Sequence, residues 1–419
     1  MLVTAVLALV GALTVTRGTP VGRIRVVGGA DAPAVGGPRF ARTVELYTGA
    51  GLAPGNAVEV LTNGNGTYPR LWADLESVRR LVTVQLYYSQ PGAVADTMAR
   101  VLAERARRGV RVLVVLDAFG SQNLPAAWFD TLRTAGVEVR RLRQLRWYRL
   151  DRVASRSHVR AVVVDGEVGY TGGFGLADYW QGAGHAEDEW RETNVRFRGP
   201  AVAQLQAAFV IAWAETAGEL LVGDVVFPPA ALDSAGPTRA ALVLTAPPKG
   251  STPAERLLAL PIAGARRTLY VTNSYFLPDD DFRRLLADAA RRGVDVCVLT
   301  AGDQTDITSV RYASRWRYEE LLDAGVRLYE YVPAMMHAKT LVADGLWGMV
   351  GSMNFDNRSL ALNNEANLVA LDARVGATLD SLFLADLRHA REVTLTDFRR
   401  RPWWQRPLEA GAALLSWVL

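Results

Sequence analysis

Hydrophobic positions along this chain fall in short blocks, and the blocks recur. Leu81–Ser89 (LVTVQLYYS) is apolar, β-branched and uncharged, and Thr268–Phe276 (TLYVTNSYF) repeats that character 187 positions later. A helix-like stretch then ends in Arg107–Asp117 (RRGVRVLVVLD), matched at an offset of 184 by Arg291–Thr300 (RRGVDVCVLT). Ala135–Leu142 (AGVEVRRL) is matched at 189 by Ala324–Tyr331 (AGVRLYEY). In the last two pairs a glycine closes the helix-like stretch and an apolar run follows at once, the pattern of a helix C-cap feeding a strand. Strands this continuously apolar are those covered on both faces. The pattern predicts an α/β fold of two similar layered halves, residues 50–222 and 249–400. Between them, 223–248 is rich in Pro, Ala and small polar residues and is predicted to be a connector.

At 419 residues the chain is long for one domain, which agrees with a duplicated unit. The formal net charge is only +4, which argues against a dedicated nucleic-acid binder. The single cysteine, Cys297, excludes a disulfide framework or a thiolate metal cage and sits in an apolar run, so it is expected in the core. Only two of the 47 basic residues are lysines, Lys249 and Lys339, so a lysine inside a polar constellation is informative. The segment 1–17 opens with fifteen apolar or small residues, short of the roughly 20 needed to span a bilayer. It reads as a membrane anchor or interfacial helix, a signal peptide without the usual basic start, or a buried segment. The tail 401–419 and the residues before it carry FRRRPWW (Phe398–Trp404), which suits a lipid-headgroup surface or a solvated basic turn with packed tryptophans.

The repeat also carries chemistry. SHVRAVVVDGEVGYTGGFG places His158, Arg160 and Asp165 at i, i+2 and i+7, with Gly172 at i+14. MHAKTLVADGLWGMVGSMN places His337, Lys339, Asp344 and Gly351 at the same spacing. On a strand, residues two apart share a face, so each His and its cation point into one site. The Asp-Gly that follows suits a tight turn into the next strand, after which Ser352 and Asn354 again share a face. Each imidazole needs an acceptor for its second nitrogen. Glu192, 34 residues beyond His158, and Glu365, 28 beyond His337, are the candidates. Two imidazoles, two cations and no thiolates fit phosphoryl transfer by nucleophile and acid, without metal or cofactor.

On these residues the sequence resembles the phospholipase D superfamily, and within it the bacterial cardiolipin synthases. The family motif, His-x-Lys-x4-Asp followed by Gly-Gly/Ser-x-Asn, is matched in full by His337, Lys339, Asp344, Gly351, Ser352 and Asn354. The first copy matches at His158, Asp165, Gly172 and Gly173, but Arg160 stands in place of lysine and Gly175 in place of asparagine. Further likenesses are Asn63-Gly64, Leu116–Ser121, Thr171–Asp178, Trp190–Thr193, Tyr275–Asp279 and Asn364-Glu365. The resemblance implies two phospholipase D-type halves packed about a pseudo-twofold axis, with the active site between them. It implies that His158, Arg160, Asp165, His337, Lys339 and Asp344 are catalytic, and that Glu192, Ser352, Asn354 and Glu365 orient or bind phosphate. His158 would be the nucleophile and His337 the acid and base, in a metal-independent transfer of a phosphatidyl group between phospholipids. The implied partners are anionic phospholipids such as phosphatidylglycerol at a cell membrane, and no nucleic acid. A phospholipid hydrolase, a nuclease, and a catalytically impaired lipid-binding homologue remain as alternatives. The six arginines of Arg140–Arg152 suit a phosphate-rich surface under any of them.

Overall fold

Fifteen of the described strands join in one mixed sheet, and its order is nearly the same read from either side. Outward from the middle, the first half runs Ala53–Thr62, Thr193–Arg198, Val168–Gly172, Ala161–Val164, Leu81–Leu86, Arg111–Asp117, Glu138–Leu142. The second runs Thr238–Thr245, Glu365–Leu371, Trp347–Gly351, Lys339–Ala343, Thr268–Asn273, Asp295–Ala301, Arg327–Tyr331, and adds Ala390–Val393 at its edge. Ala53–Thr62 and Thr238–Thr245 pair antiparallel and close the seam. The computed structural model describes residues 31–144, 155–246 and 253–414, with Gly11 and Val26. The apolar N-terminal segment apart from Gly11, the greater part of the basic run, Lys249 and the last five residues lie outside the described residues.

The apolar blocks read from the sequence are the strands of the sheet, but one boundary is corrected. The segment 223–248 is not only a connector: Thr238–Thr245 is the first strand of the second half, the counterpart of Ala53–Thr62. Its alanines and its flanking Gly-Pro and Pro-Pro disguised it, whereas it is buried between two neighbouring strands.

Alternating residues of each strand feed different cores, as the period of two requires. Leu269 and Val271 pack with helices Pro253–Gly264 and Asp280–Arg291, whereas Tyr270 packs on the opposite face. On that face helices Ala201–Ala217 and Ala373–Leu387 share one core drawn from both halves. The first of these also reaches the seam strand Thr238–Thr245, and the second reaches Ala53–Thr62. The two halves therefore share both a sheet and a core. Among the described residues no helix is long and apolar enough to cross a membrane.

Candidate active site

Both motifs sit where a strand begins. Ala161–Val164 and Lys339–Ala343 carry the apolar run between cation and Asp, and the histidines stand just before these strands. Short parallel pairings across the halves fix them there. Met335–Met336 pairs with Trp190–Arg191, and the His337 N–H donates to the Arg191 carbonyl at 2.8 Å. Ser157 bridges Asn364, and the His158 N–H donates to the Asn364 carbonyl at 2.9 Å. Each histidine is thereby laid beside the glutamate of the other half.

The carboxylate contacts are crossed accordingly. His158 Nδ1 lies 2.9 Å from Glu365, and His337 Nδ1 lies 2.5 Å from Glu192. Distance along the chain misleads here, since each histidine has a nearer glutamate in its own half. With Nδ1–H donated to a carboxylate, Nε2 of each ring is left for chemistry. Both glutamates are wholly buried and held by further donors. Glu365 accepts from Ser352 Oγ at 2.6 Å and Ser359 Oγ at 2.7 Å, and Glu192 accepts from Trp180 Nε1 at 3.2 Å and the Thr193 N–H at 3.0 Å. Gly173 occupies the place of Ser352 in the first copy, and the Trp180 indole supplies the donor that it lacks.

The cations are buried beside the imidazoles. Lys339 Nζ donates to Ser274 Oγ at 2.7 Å and to the His337 carbonyl. Arg160 Nη1 makes the equivalent bond to the His158 carbonyl at 2.8 Å, and its Nε reaches the Phe174 carbonyl at 3.3 Å. Tyr87 stands at the position of Ser274, and the Arg160 guanidinium lies 5.7 Å from its ring centroid, so the larger cation is matched by an aromatic face. Burial, then the charge of Arg160, holds His158 down at about 4 against the opposing pull of Glu365. Burial and the neighbouring cations Lys339 and Arg160 hold His337 well below its ordinary value. Lys339 is lowered to about 7, mainly by burial, and burial also raises Glu192.

His158, Arg160, His337 and Asn354 line one cavity of about 380 Å³. Asn354 Oδ1 is buried and has no hydrogen-bond partner among the described residues, an acceptor left over at the wall. Ser352 stands behind the wall on Glu365. Asp165 and Asp344 are not brought there. Each lies at the far end of its strand with a left-handed backbone, φ 52° and 55°, followed by a left-handed glycine. Asp165 accepts the N–H groups of Arg79, Arg80 and Leu81, and Asp344 those of Arg266, Arg267 and Thr268. Seven residues at about 3.3 Å each separate them from the histidines. The expectation that they are catalytic is corrected: they fasten the hairpin turn to the neighbouring strand.

The missing asparagine at Gly175 has a steric cause. A Cβ there would come within 2.6 Å of both the Trp180 ring and the Tyr88 carbonyl, so the indole holds that space. The motif glycines are explained as well. A Cβ on Gly172 or Gly351 would meet Oδ1 of Asn194 or Asn367 at 2.2 Å. Those oxygens accept the N–H groups of Gly173 and Met353. Neither asparagine was singled out from the sequence, although Glu192-Thr193-Asn194 and Glu365-Ala366-Asn367 are a repeated Glu-x-Asn that marks them.

The chain is similar to known proteins over most of its length. Residues 259–387 match the family described as "Cardiolipin synthase, PLD-like domain". The chain is 35% identical over 362 residues to the cardiolipin synthase of Geobacillus kaustophilus, covering 86% of this chain and 72% of that protein. It is 32% identical to cardiolipin synthase A of Pseudomonas putida, covering 82% and 71%. The fold is similar to that of phosphatidylserine synthase from Haemophilus influenzae, with a TM-score of 0.67 at 12% identity over 90% of this chain and 99% of that one. With the histidines of a doubled motif on one cavity, Lys339 buried just behind it, and this likeness along most of its length, the chain belongs to the cardiolipin synthase family.

Proposed function

We propose that this protein transfers a phosphatidyl group from one phospholipid to the hydroxyl of another, as the name of its relatives implies, through a phosphohistidine. His158 Nε2 attacks the phosphodiester phosphorus, and the bond to the leaving alcohol breaks while His337 Nε2–H gives that oxygen its proton. An acceptor hydroxyl then loses its proton to His337 and attacks phosphorus. The P–N bond breaks and both imidazoles are restored. Arg160 and Lys339 stabilise charge on the non-bridging oxygens. The observation that carries this reading is the pair of imidazoles on one cavity, each with Nδ1 on a buried glutamate.

Two contacts support the division of roles. The 2.5 Å contact of His337 with Glu192 favours an imidazolium once an anionic phosphate enters, as an acid requires. Glu365 divides its charge among two hydroxyls and His158, and burial with the charge of Arg160 holds His158 at about 4, so the ring stays unprotonated as a nucleophile must.

The test is incubation of the full chain with phosphatidylglycerol vesicles, with and without EDTA. Cardiolipin plus glycerol is expected at equal rates in both. Phosphatidic acid as the sole product would make the protein a hydrolase, and loss of turnover restored by a divalent ion would overturn the metal-free mechanism. Acid quench and peptide mapping should find phosphate on His158, and an adduct on His337 would reverse the roles.

A further inference from the structure

The C-terminal helix, Gln405–Ala413, carries its polarity inside out. Glu409 and Ala413 face the protein, with Glu409 wholly buried. At 100° per residue, Trp404, Pro407, Leu408, Gly411 and Leu414 fall on the opposite side. Trp403 is 80% exposed, Leu414 76%, Leu408 49% and Trp404 47%. The tryptophans are therefore not packed against the body as a simple basic turn would have them. The buried acid acts as a pin: Glu409 accepts from Arg315 Nε at 3.3 Å and from Arg401 at 2.9 Å, and the Arg401 guanidinium lies 3.8 Å over Phe398. A helix this short does not hold itself in water, so these contacts fix an apolar face outward.

Its position gives that face a use. The helix packs against Thr308–Arg315, whose first turn, with Ile307 and Val310, lines the wall of the catalytic cavity. Ile307 is 40% exposed at the cavity end of this short helix, and Trp316 is 42% exposed at the other. Exposed apolar side chains thus run from the mouth of the site to the terminal helix. Arg399, Arg400 and Arg406 are exposed beside them. We propose that residues 402–414 form a docking platform for a bilayer surface containing anionic phospholipid. Trp403, Trp404, Leu408 and Leu414 enter the interfacial layer, and Arg400 and Arg406 sit at phosphate level, Arg399 being bridged to Glu319. Docking there brings the cavity mouth to the lipid from which the substrate is drawn. The choice of a bilayer rests on the lipid phosphodiester reading of the site. A stable interface with another protein commonly needs about 20–30 residues a side, far more than this helix offers.

The test uses the full chain with Leu408→Cys carrying a nitrobenzoxadiazole label, since the native Cys297 is buried. Ser381→Cys, on the helix of the opposite sheet face, is the control. With phosphatidylglycerol/phosphatidylcholine vesicles the emission at 408 should shift to the blue, more than with phosphatidylcholine alone, while 381 stays in water. A second protein, Trp403→Ser/Leu408→Ser/Leu414→Ser, should lose about tenfold or more of its turnover on vesicles, the factor for about 1.4 kcal/mol of lost docking energy. Its turnover on monomeric short-chain phosphatidylglycerol should be unchanged. A label at 408 that stays in water while the protein sediments with vesicles would overturn the platform, as would equal shifts at both positions or unchanged turnover on vesicles. Concentration-dependent burial of 408 without lipid would overturn it in favour of a second copy. A blue shift at 408 with no turnover on either substrate would sink the catalytic reading and leave the platform standing.

Discussion

Lys339 and Arg160 hold equivalent places, yet only one of them titrates in a useful range. Burial brings the lysine to about 7, whereas guanidinium begins too high for burial to discharge it. The signs give a bell. As the proposed nucleophile His158 must be unprotonated, so activity should fall as pH drops through about 4. In the proposed mechanism Lys339 must be charged and His337 must hold the acid proton that an entering anionic phosphate favours, so activity should fall as pH rises through about 7, where the lysine discharges. Asp356, on the same cavity, is also pushed up to about 7 by burial, so a variant must separate the two. In kcat/KM profiles Lys339→Arg should move the alkaline limb upward. A limb that stayed near neutrality in that variant would belong to another group. The departures from the family motif make sense at this scale. Arg160 meets Tyr87 where Lys339 meets Ser274, and Trp180 fills the space that a side chain at 175 would need. A single motif position cannot reveal such compensation, because the compensating residue lies elsewhere in the chain.

At the scale of the element, the Asp-Gly turns do more than reverse the chain. Each Asp carboxylate gathers the N–H groups that open the adjacent strand, so hairpin and strand are set in register together. Asp344→Ala should cost on the order of 3 kcal/mol, from charge-assisted bonds lost and N–H groups left unpaired. Thermal unfolding would show the lowered midpoint, and turnover per folded molecule should remain close to wild type. A folded but inactive Asp344→Ala would return the residue to the catalytic set. The strands themselves were legible because burial on both faces writes a continuous apolar run into the sequence. Thr238–Thr245 was not, since alanines between prolines carry little β signal and its place is set by two neighbours.

At the scale of the whole molecule, the duplication was legible as a matching order of blocks, and the pseudo-symmetric sheet follows from it. The crossed pairing of histidines and glutamates was not, because partners 145 and 207 residues apart leave no local pattern. It depends on the halves staying in place. Arg191, beside Glu192, makes a buried two-point bridge to Asp386 on the helix Ala373–Leu387, with contacts of 2.9 and 2.8 Å. Asp386→Ala would leave that guanidinium buried and unpaired, a loss of about 3–5 kcal/mol. It should lower the unfolding midpoint and also kcat, because Trp190–Arg191 sets the strand pairing beside His337. An active, fully stable variant would show that the halves do not need this tie.

The seam through the middle of the sheet also limits how the enzyme can work. Lobes that share hydrogen-bonded strands cannot swing apart between steps, since parting them would pull both imidazoles from their carboxylates. In the proposed route the cavity would act as a turnstile rather than a jaw, the first alcohol leaving by the mouth before the second takes its place. That is the ping-pong order which the proposed phosphohistidine route requires, whatever the lipids prove to be.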